Sequence, residues 1–129
     1  MLSINVSQNQ IEDCEILSDP DKLKYLQIAN FSQNQIKEMP VIQLESLYSL
    51  SLSNNNIASA ANFPGHPKLK ILDIKKNRLL NLEGIGNMPC LEELYAGENE
   101  ITSLKGLENL PSLKKLHLRK NPVLFLYIL

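Results

Sequence analysis

Apolar and polar positions alternate along this chain in one phrase that recurs six times, L-x-x-L-x-L-x-x-N-x-[IVL]. Its copies read Met1-Ile4-Val6-Asn9-Ile11, Leu26-Ala29-Phe31-Asn34-Ile36 and Leu47-Leu50-Leu52-Asn55-Ile57. They continue as Leu69-Leu72-Ile74-Asn77-Leu79, Leu91-Leu94-Ala96-Asn99-Ile101 and Leu113-Leu116-Leu118-Asn121-Val123. The asparagines are 25, 21, 22, 22 and 22 residues apart. Within each copy the apolar–polar–apolar step has the period of two that marks a strand with one buried face. A fixed step of this length means units that cannot bury an apolar face alone and stack to share a core. The pattern predicts about six short parallel strands, each followed by a segment that returns along the opposite side.

The return segments carry a second pattern. It is clearest in Ile101, Leu104, Gly106, Leu107, Leu110, Pro111 and Leu113, and recurs over 79–91 with Gly84, Ile85, Met88 and Pro89. Such a phrase suits a short 3-10 turn, because proline stops any longer helix. The first return segment is longer, and its cluster Ser18-Asp19-Pro20-Asp21 reads as a loop that holds the extra residues. Pro64-Gly65-His66-Pro67 makes the third segment irregular, with His66 expected on the surface. The asparagines Asn9, Asn34, Asn55, Asn77, Asn99 and Asn121 read as scaffold. An amide brings donors and an acceptor to turn groups that would otherwise be buried unpaired.

On this pattern the chain is identified as a member of the leucine-rich-repeat class. The expected fold is α/β: a right-handed solenoid with a concave parallel sheet of about six strands, and loops and short 3-10 turns on the convex side. Residues 1–129 are read as one domain that lacks terminal caps. The ends are unusual, since a strand begins at residue 1 and an apolar stretch occupies 124–129. Terminal repeats normally need polar caps. The expectation is a fragment or isoform of a longer repeat protein, or a chain that covers its ends by self-association.

Composition narrows the function. Aromatic residues make up only 5% and Trp is absent, which suits a core of Leu and Ile. The net charge of −1 argues against nucleic acid as an obligate partner. No apolar run approaches the roughly 20 residues of a membrane span, and no basic-then-apolar leader opens the chain. Cys14 and Cys90 lie in different repeats and read as unpaired, with Cys90 expected inside, and this usage fits a reducing, intracellular compartment. The sequons at Asn5 and Asn30 are read as chance. No phosphate loop, C-x-x-C or H-E-x-x-H is present, and His66 and His117 fall in separate repeats. No nucleophile, base and orienting group can be assembled, and neither a cofactor nor a metal site is expected.

Numbering the phrase from its first apolar residue, positions 3, 5, 7 and 8 face away from the core. In the first three copies they hold mainly Ser and Asn. In the last three they hold Ile71, Asp73, Lys75, Glu93, Tyr95, Gly97, Glu98, Lys115, His117, Arg119 and Lys120. The carboxy-terminal half is thus the better candidate for a partner surface, with Asp73, Lys75, Tyr95, His117 and Arg119 as its residues. Arg119 and Lys75 flank Gly97 and leave a gap with positive walls suited to an acidic side chain. A plainer reading stands beside this one: Glu92 with Lys114, Glu93 with Lys115, and Glu98 with Lys120 are neighbours one repeat apart and pair with each other. Tyr95, likewise, either anchors a partner or covers Gly97.

The regular 22-residue repeats with Gly-Leu-x-x-Leu-Pro-x-Leu returns resemble the intracellular class that includes the regulatory subunit of protein phosphatase 1. A narrower likeness lies at Leu26-Gln-Ile-Ala-Asn-Phe-Ser-Gln-Asn-Gln-Ile36, with alanine then phenylalanine at the inner core positions. This stretch, with Leu79-Leu-Asn-Leu-Glu-Gly84 and Leu116-His-Leu-Arg-Lys-Asn121, is similar to the family of leucine-rich-repeat-containing protein 23, found in axonemal radial spokes. That resemblance implies a non-catalytic protein–protein scaffold of the cilium or flagellum. The alternatives are a regulatory subunit that positions a phosphatase or other enzyme, and a recognition repeat that binds peptide or glycan through its Ser- and Asn-rich half.

Overall fold

The computed structural model describes residues 1–124 and 126. The expected apolar tail falls, at 125 and 127–129, outside the described residues. Six strands form one parallel sheet in sequence order: β1 (Ser3–Asn5), β2 (Ile28–Asn30), β3 (Ser49–Ser51), β4 (Ile71–Asp73), β5 (Glu93–Tyr95) and β6 (Lys115–His117). The register aligns equivalent positions of the phrase, so that Asp73 lies beside Tyr95 and Tyr95 beside His117. The solenoid expected from the repeat is the fold observed.

Each strand is three residues long because the phrase itself ends it. The residue before every ladder asparagine (Gln8, Gln33, Asn54, Lys76, Glu98 and Lys120) has φ between 55° and 58°. A left-handed residue turns the chain out of the sheet and costs a non-glycine residue roughly 1–2 kcal/mol. None of the six is β-branched, the side-chain type least able to adopt this conformation.

The asparagines repay that cost between repeats. Asn77 Nδ2 donates to the carbonyls of Ile74 and Lys75 in its own repeat and to Leu52 in the preceding one, at 3.0, 3.2 and 3.0 Å. Its Oδ1 accepts from Ile57 N–H at 3.0 Å, again in the preceding repeat. Asn34, Asn55, Asn99 and Asn121 make the same reach backwards, to Val6, Phe31, Ile74 and Ala96 respectively. Among the described residues Asn9 bonds only within its own repeat, to Val6 and Ser7, and is exposed.

Beneath the sheet, Leu50, Leu72 and Leu94 at the strand centres are essentially buried, as are the return-segment residues Ile57, Leu79, Leu82, Ile85, Met88 and Ile101. Each such side chain contributes roughly 1.5–3 kcal/mol of burial. A 3-10 helix occurs at Glu15–Ser18, ahead of the Pro20 turn. The phrases at Gly84 and Gly106 form single hydrogen-bonded turns instead, closed by Ile85 N–H to Leu82 O and Leu107 N–H to Leu104 O. Their glycines have φ of 95° and 108°, and a Cβ there would collide with the Ala60 and Leu82 carbonyls of the preceding repeat. Glycine thus sets how closely the return segments stack.

Two expectations for single residues are corrected. His66 is buried, not exposed: it falls one repeat before Met88 and fills the same inward position. Its Nδ1 accepts from Lys68 N–H at 3.1 Å, so Nε2–H donates to Leu44 O at 3.0 Å. Cys90 is half-buried while Cys14 is the core thiol, pushed up to about 12 by burial and by the neighbouring Asp13. In the repeat register Cys14 aligns with the buried Leu82 and Leu104, whereas Cys90 aligns with exposed Lys68.

Replacing Asn77 by Ala leaves Ile57 N–H and buried carbonyls unpaired, and is expected to cost about 3 kcal/mol in urea unfolding. Asn9→Ala should cost less than about 1 kcal/mol, and equal losses would mean the bonds between repeats carry no special weight. Burial holds the His66 imidazole below its ordinary value of 6.5. The unfolded chain therefore takes up a proton first as the pH falls. The stability tied to His66 is whole above pH 6.5 and declines as the pH drops from there towards the lower folded value. His66→Met should abolish that part of the decline, as followed by thermal unfolding between neutral pH and about pH 5.

Candidate functional site

The sheet's exposed face carries the residues singled out in the sequence, and the register brings three of them into one row. Asp73, Tyr95 and His117 occupy position 5 of consecutive repeats. The rings of Tyr95 and His117 lie 4.7 Å apart at their centroids, tilted by 56°. His117 is exposed, and Asp73 and Tyr95 are half-buried. Lys75 and Arg119, at position 7, are exposed on either side of Gly97.

Part of this row is committed to internal bonds. Tyr95 OH donates to Glu93 Oε1 at 3.0 Å, which holds the phenol above its usual pKa. Lys115 pairs with the same carboxylate at 3.2 Å, and Lys114 with Glu92 at 2.7 Å. These lysine contacts hold both glutamates below the ordinary carboxylate range. Two of the three ion pairs expected from the sequence are therefore present. Glu98 and Lys120 form no ion pair among the described residues, while Glu83 and Lys105, also one repeat apart, pair at 2.8 Å on the return side.

Asp73 differs from the two glutamates. Burial raises its pKa, outweighing the Lys75 N–H that it accepts at 3.1 Å and the Lys75 ammonium 3.8 Å away. The same side-chain-to-backbone bond closes the first two repeats, where Asn5 and Asn30 Oδ1 accept from Ser7 and Ser32 N–H at 3.0 Å. In the third, Ser51 Oγ approaches Ser53 N–H at 3.5 Å. The two N-x-S sequons thus have a local structural role: each supplies the acceptor at position 5 that a position-7 N–H requires.

Sequence reasoning missed this position-5 to position-7 bond, although Asn and Asp two residues before a turn are its ordinary signal. It also missed a groove of about 650 Å³ between the first two return segments, walled by Cys14, Met39, Pro40 and Val41 and rimmed by Glu12, Asp13, Glu15 and Glu38. That groove lies on the convex side, away from the row. Residues from two return segments form it, so no single stretch of sequence signals it. Among the described residues, no helix is long and apolar enough to cross a membrane.

A sequence model of the leucine-rich repeat matches residues 3–125, nearly the whole chain. The chain belongs to the leucine-rich repeat family. A search of curated proteins gives no match. Among solved structures, an internalin (InlF) of Listeria monocytogenes superposes with a TM-score of 0.76 at 24% identity, covering 98% of this chain and 36% of the internalin. Internalin C2 of the same bacterium gives 0.77 at 24% identity, over 99% of this chain and 66% of that one. The leucine-rich repeat domain of APL1 gives 0.71 at 24%, over 87% and 31%. These likenesses show a leucine-rich repeat fold, and this chain spans between about a third and two thirds of these proteins' lengths.

Asp73→Asn keeps the bond to Lys75 N–H, as Asn30 makes the equivalent bond two repeats earlier, and removes the half-buried charge. Asp73 binds its proton more tightly folded than unfolded, so the native state loses ground as the pH rises through its titration. The variant should therefore melt higher than the parent at neutral pH and equally well in acid. A lower melting temperature at neutral pH would mean the Lys75 pair outweighs burial.

Proposed function

We propose that this leucine-rich repeat is a non-catalytic scaffold that holds another protein on the concave sheet of its carboxy-terminal half. The observation that carries the reading is the row Asp73, Tyr95, His117. It offers a tilted aromatic pair, open to solvent on one side, between a carboxylate and the cations of Lys75 and Arg119. Aromatic and arginine side chains of this kind are enriched where interfaces concentrate their energy. The amino-terminal half of the face, built of Ser3, Asn5, Ser49 and Ser51, presents no comparable anchor.

The most concrete form of the proposal is an axonemal radial-spoke component of cilia or flagella. It is supported by the likeness of the Leu26–Ile36 phrase and of the stretches at 79–84 and 116–121 to that family. Tagged chain incubated with ciliated-cell extract should recover radial-spoke proteins, identified by mass spectrometry. Tyr95→Ala/His117→Ala should lose them, since truncating a true anchor costs about 2 kcal/mol or more. Recovery of a phosphatase catalytic subunit instead would move the assignment to a regulatory subunit. Retention of the spoke proteins by the double variant would sink the concave site.

A further inference from the structure

The position-7 main-chain N–H is treated differently along the sheet. Strand pairing does not use it. Position 6 donates to the next repeat, as Leu52 N–H does to Asp73 O, and position 8 does likewise, as Asn54 N–H does to Lys75 O. The N–H between them turns to the concave face, where side chains at position 5 reach it: Asn5, Asn30 and Asp73 bond it, and Ser51 approaches it. In the fifth and sixth repeats position 5 is Tyr95 and His117, and neither bonds it among the described residues. Gly97 N–H and Arg119 N–H have no partner within the chain among the described residues.

Resting on the concave-face reading above, we infer that these two N–H groups, with the Arg119 guanidinium, form a seat for the side-chain carboxylate of an aspartate or glutamate on a partner protein. The fold already contains a model of the complex one to two repeats away. There the Asp73 carboxylate accepts from Lys75 N–H and lies 3.8 Å from the ammonium of that same lysine. The sixth repeat reproduces the donor and the cation, Arg119 N–H and its guanidinium, and omits the internal carboxylate. Arginine binds a carboxylate through two parallel bonds, which the lysine cannot do. Gly97 leaves the floor of the seat bare, and a Cβ there would stand 3.1 Å from Arg119 O. The aromatic pair forms the wall.

Charge complementarity selects a carboxylate on a protein over a phosphate chain. The cations Lys75, Lys76, Arg119 and Lys120 surround Gly97, but Glu93, Glu98 and Glu100 are interleaved with them. A single carboxylate meets the cations and avoids the glutamates, whereas a continuous polyanion meets both.

The test compares two ways of removing the rings. Tyr95→Ala/His117→Ala leaves both N–H groups open, while Tyr95→Asn/His117→Asn closes them with the internal acceptor that Asn5 and Asn30 already supply. Fluorescence anisotropy of a labelled peptide with one glutamate in an otherwise neutral sequence should show the asparagine pair binding at least about tenfold more weakly than the alanine pair. The glutamine counterpart of the peptide should lose a similar factor on the wild-type chain. Equal affinity of the two pairs, or of the two peptides, overturns the inference. So does a single-stranded RNA oligonucleotide that displaces the peptide at lower concentration than the peptide itself. If the extract experiment still recovers a partner that both pairs lose alike, the scaffold reading survives and the carboxylate chemistry alone has failed.

Discussion

Everything in this solenoid depends on how main-chain groups are satisfied where three-residue strands end. A strand that short leaves most of the phrase outside the regular ladder, yet the phrase continues inward and cannot face water. The solution is a fixed partition: positions 6 and 8 donate to the next repeat, and the asparagine amide gathers carbonyls from two repeats while accepting an N–H from the earlier one. A left-handed residue before each asparagine makes that geometry possible. Burial of leucine supplies the stabilisation, but it acts without direction. The hydrogen bonds set the register, and the register decides which side chains meet on the exposed face.

The architecture was legible because its cause is periodic. Strand positions, the core leucines and the neighbouring of Asp73, Tyr95 and His117 all follow from a step of about 22 residues and a pleat of two. What escaped were features whose cause is local conformation or comparison between repeats. His66 looked like a loop residue because of Pro64 and Gly65 beside it, although its place one step before Met88 makes it a core position. Cys90 was misjudged for the same reason, since flanking residues weighed more than register. The left-handed residue carries no glycine to announce it, because Gln, Asn, Lys and Glu occupy the site.

The site was only partly legible. Its row could be listed from the phrase, and so could the ion pairs of Lys114 and Lys115. Their energetic meaning could not. Tyr95 is tied to Glu93 and leans on His117, so its phenol is already engaged on the chain's own side. Asp73 is engaged by its own backbone and disfavoured as an anion by burial. Among the five residues first grouped together, Arg119 has the least internal engagement. Its importance depends on a main-chain N–H that no list of side chains displays.

The backward reach of the asparagines also gives the molecule a direction in time. Asn34 serves groups of the first repeat, Asn55 of the second, and so on to Asn121, which serves the fifth. The turn of each repeat is thus closed by the asparagine of the one synthesised after it. A chain emerging from its amino terminus can close its polar groups one repeat at a time, with a single open surface advancing behind the point of synthesis. The ladder works as a ratchet as well as a brace, since the arrival of each new asparagine closes the turn left open one repeat earlier.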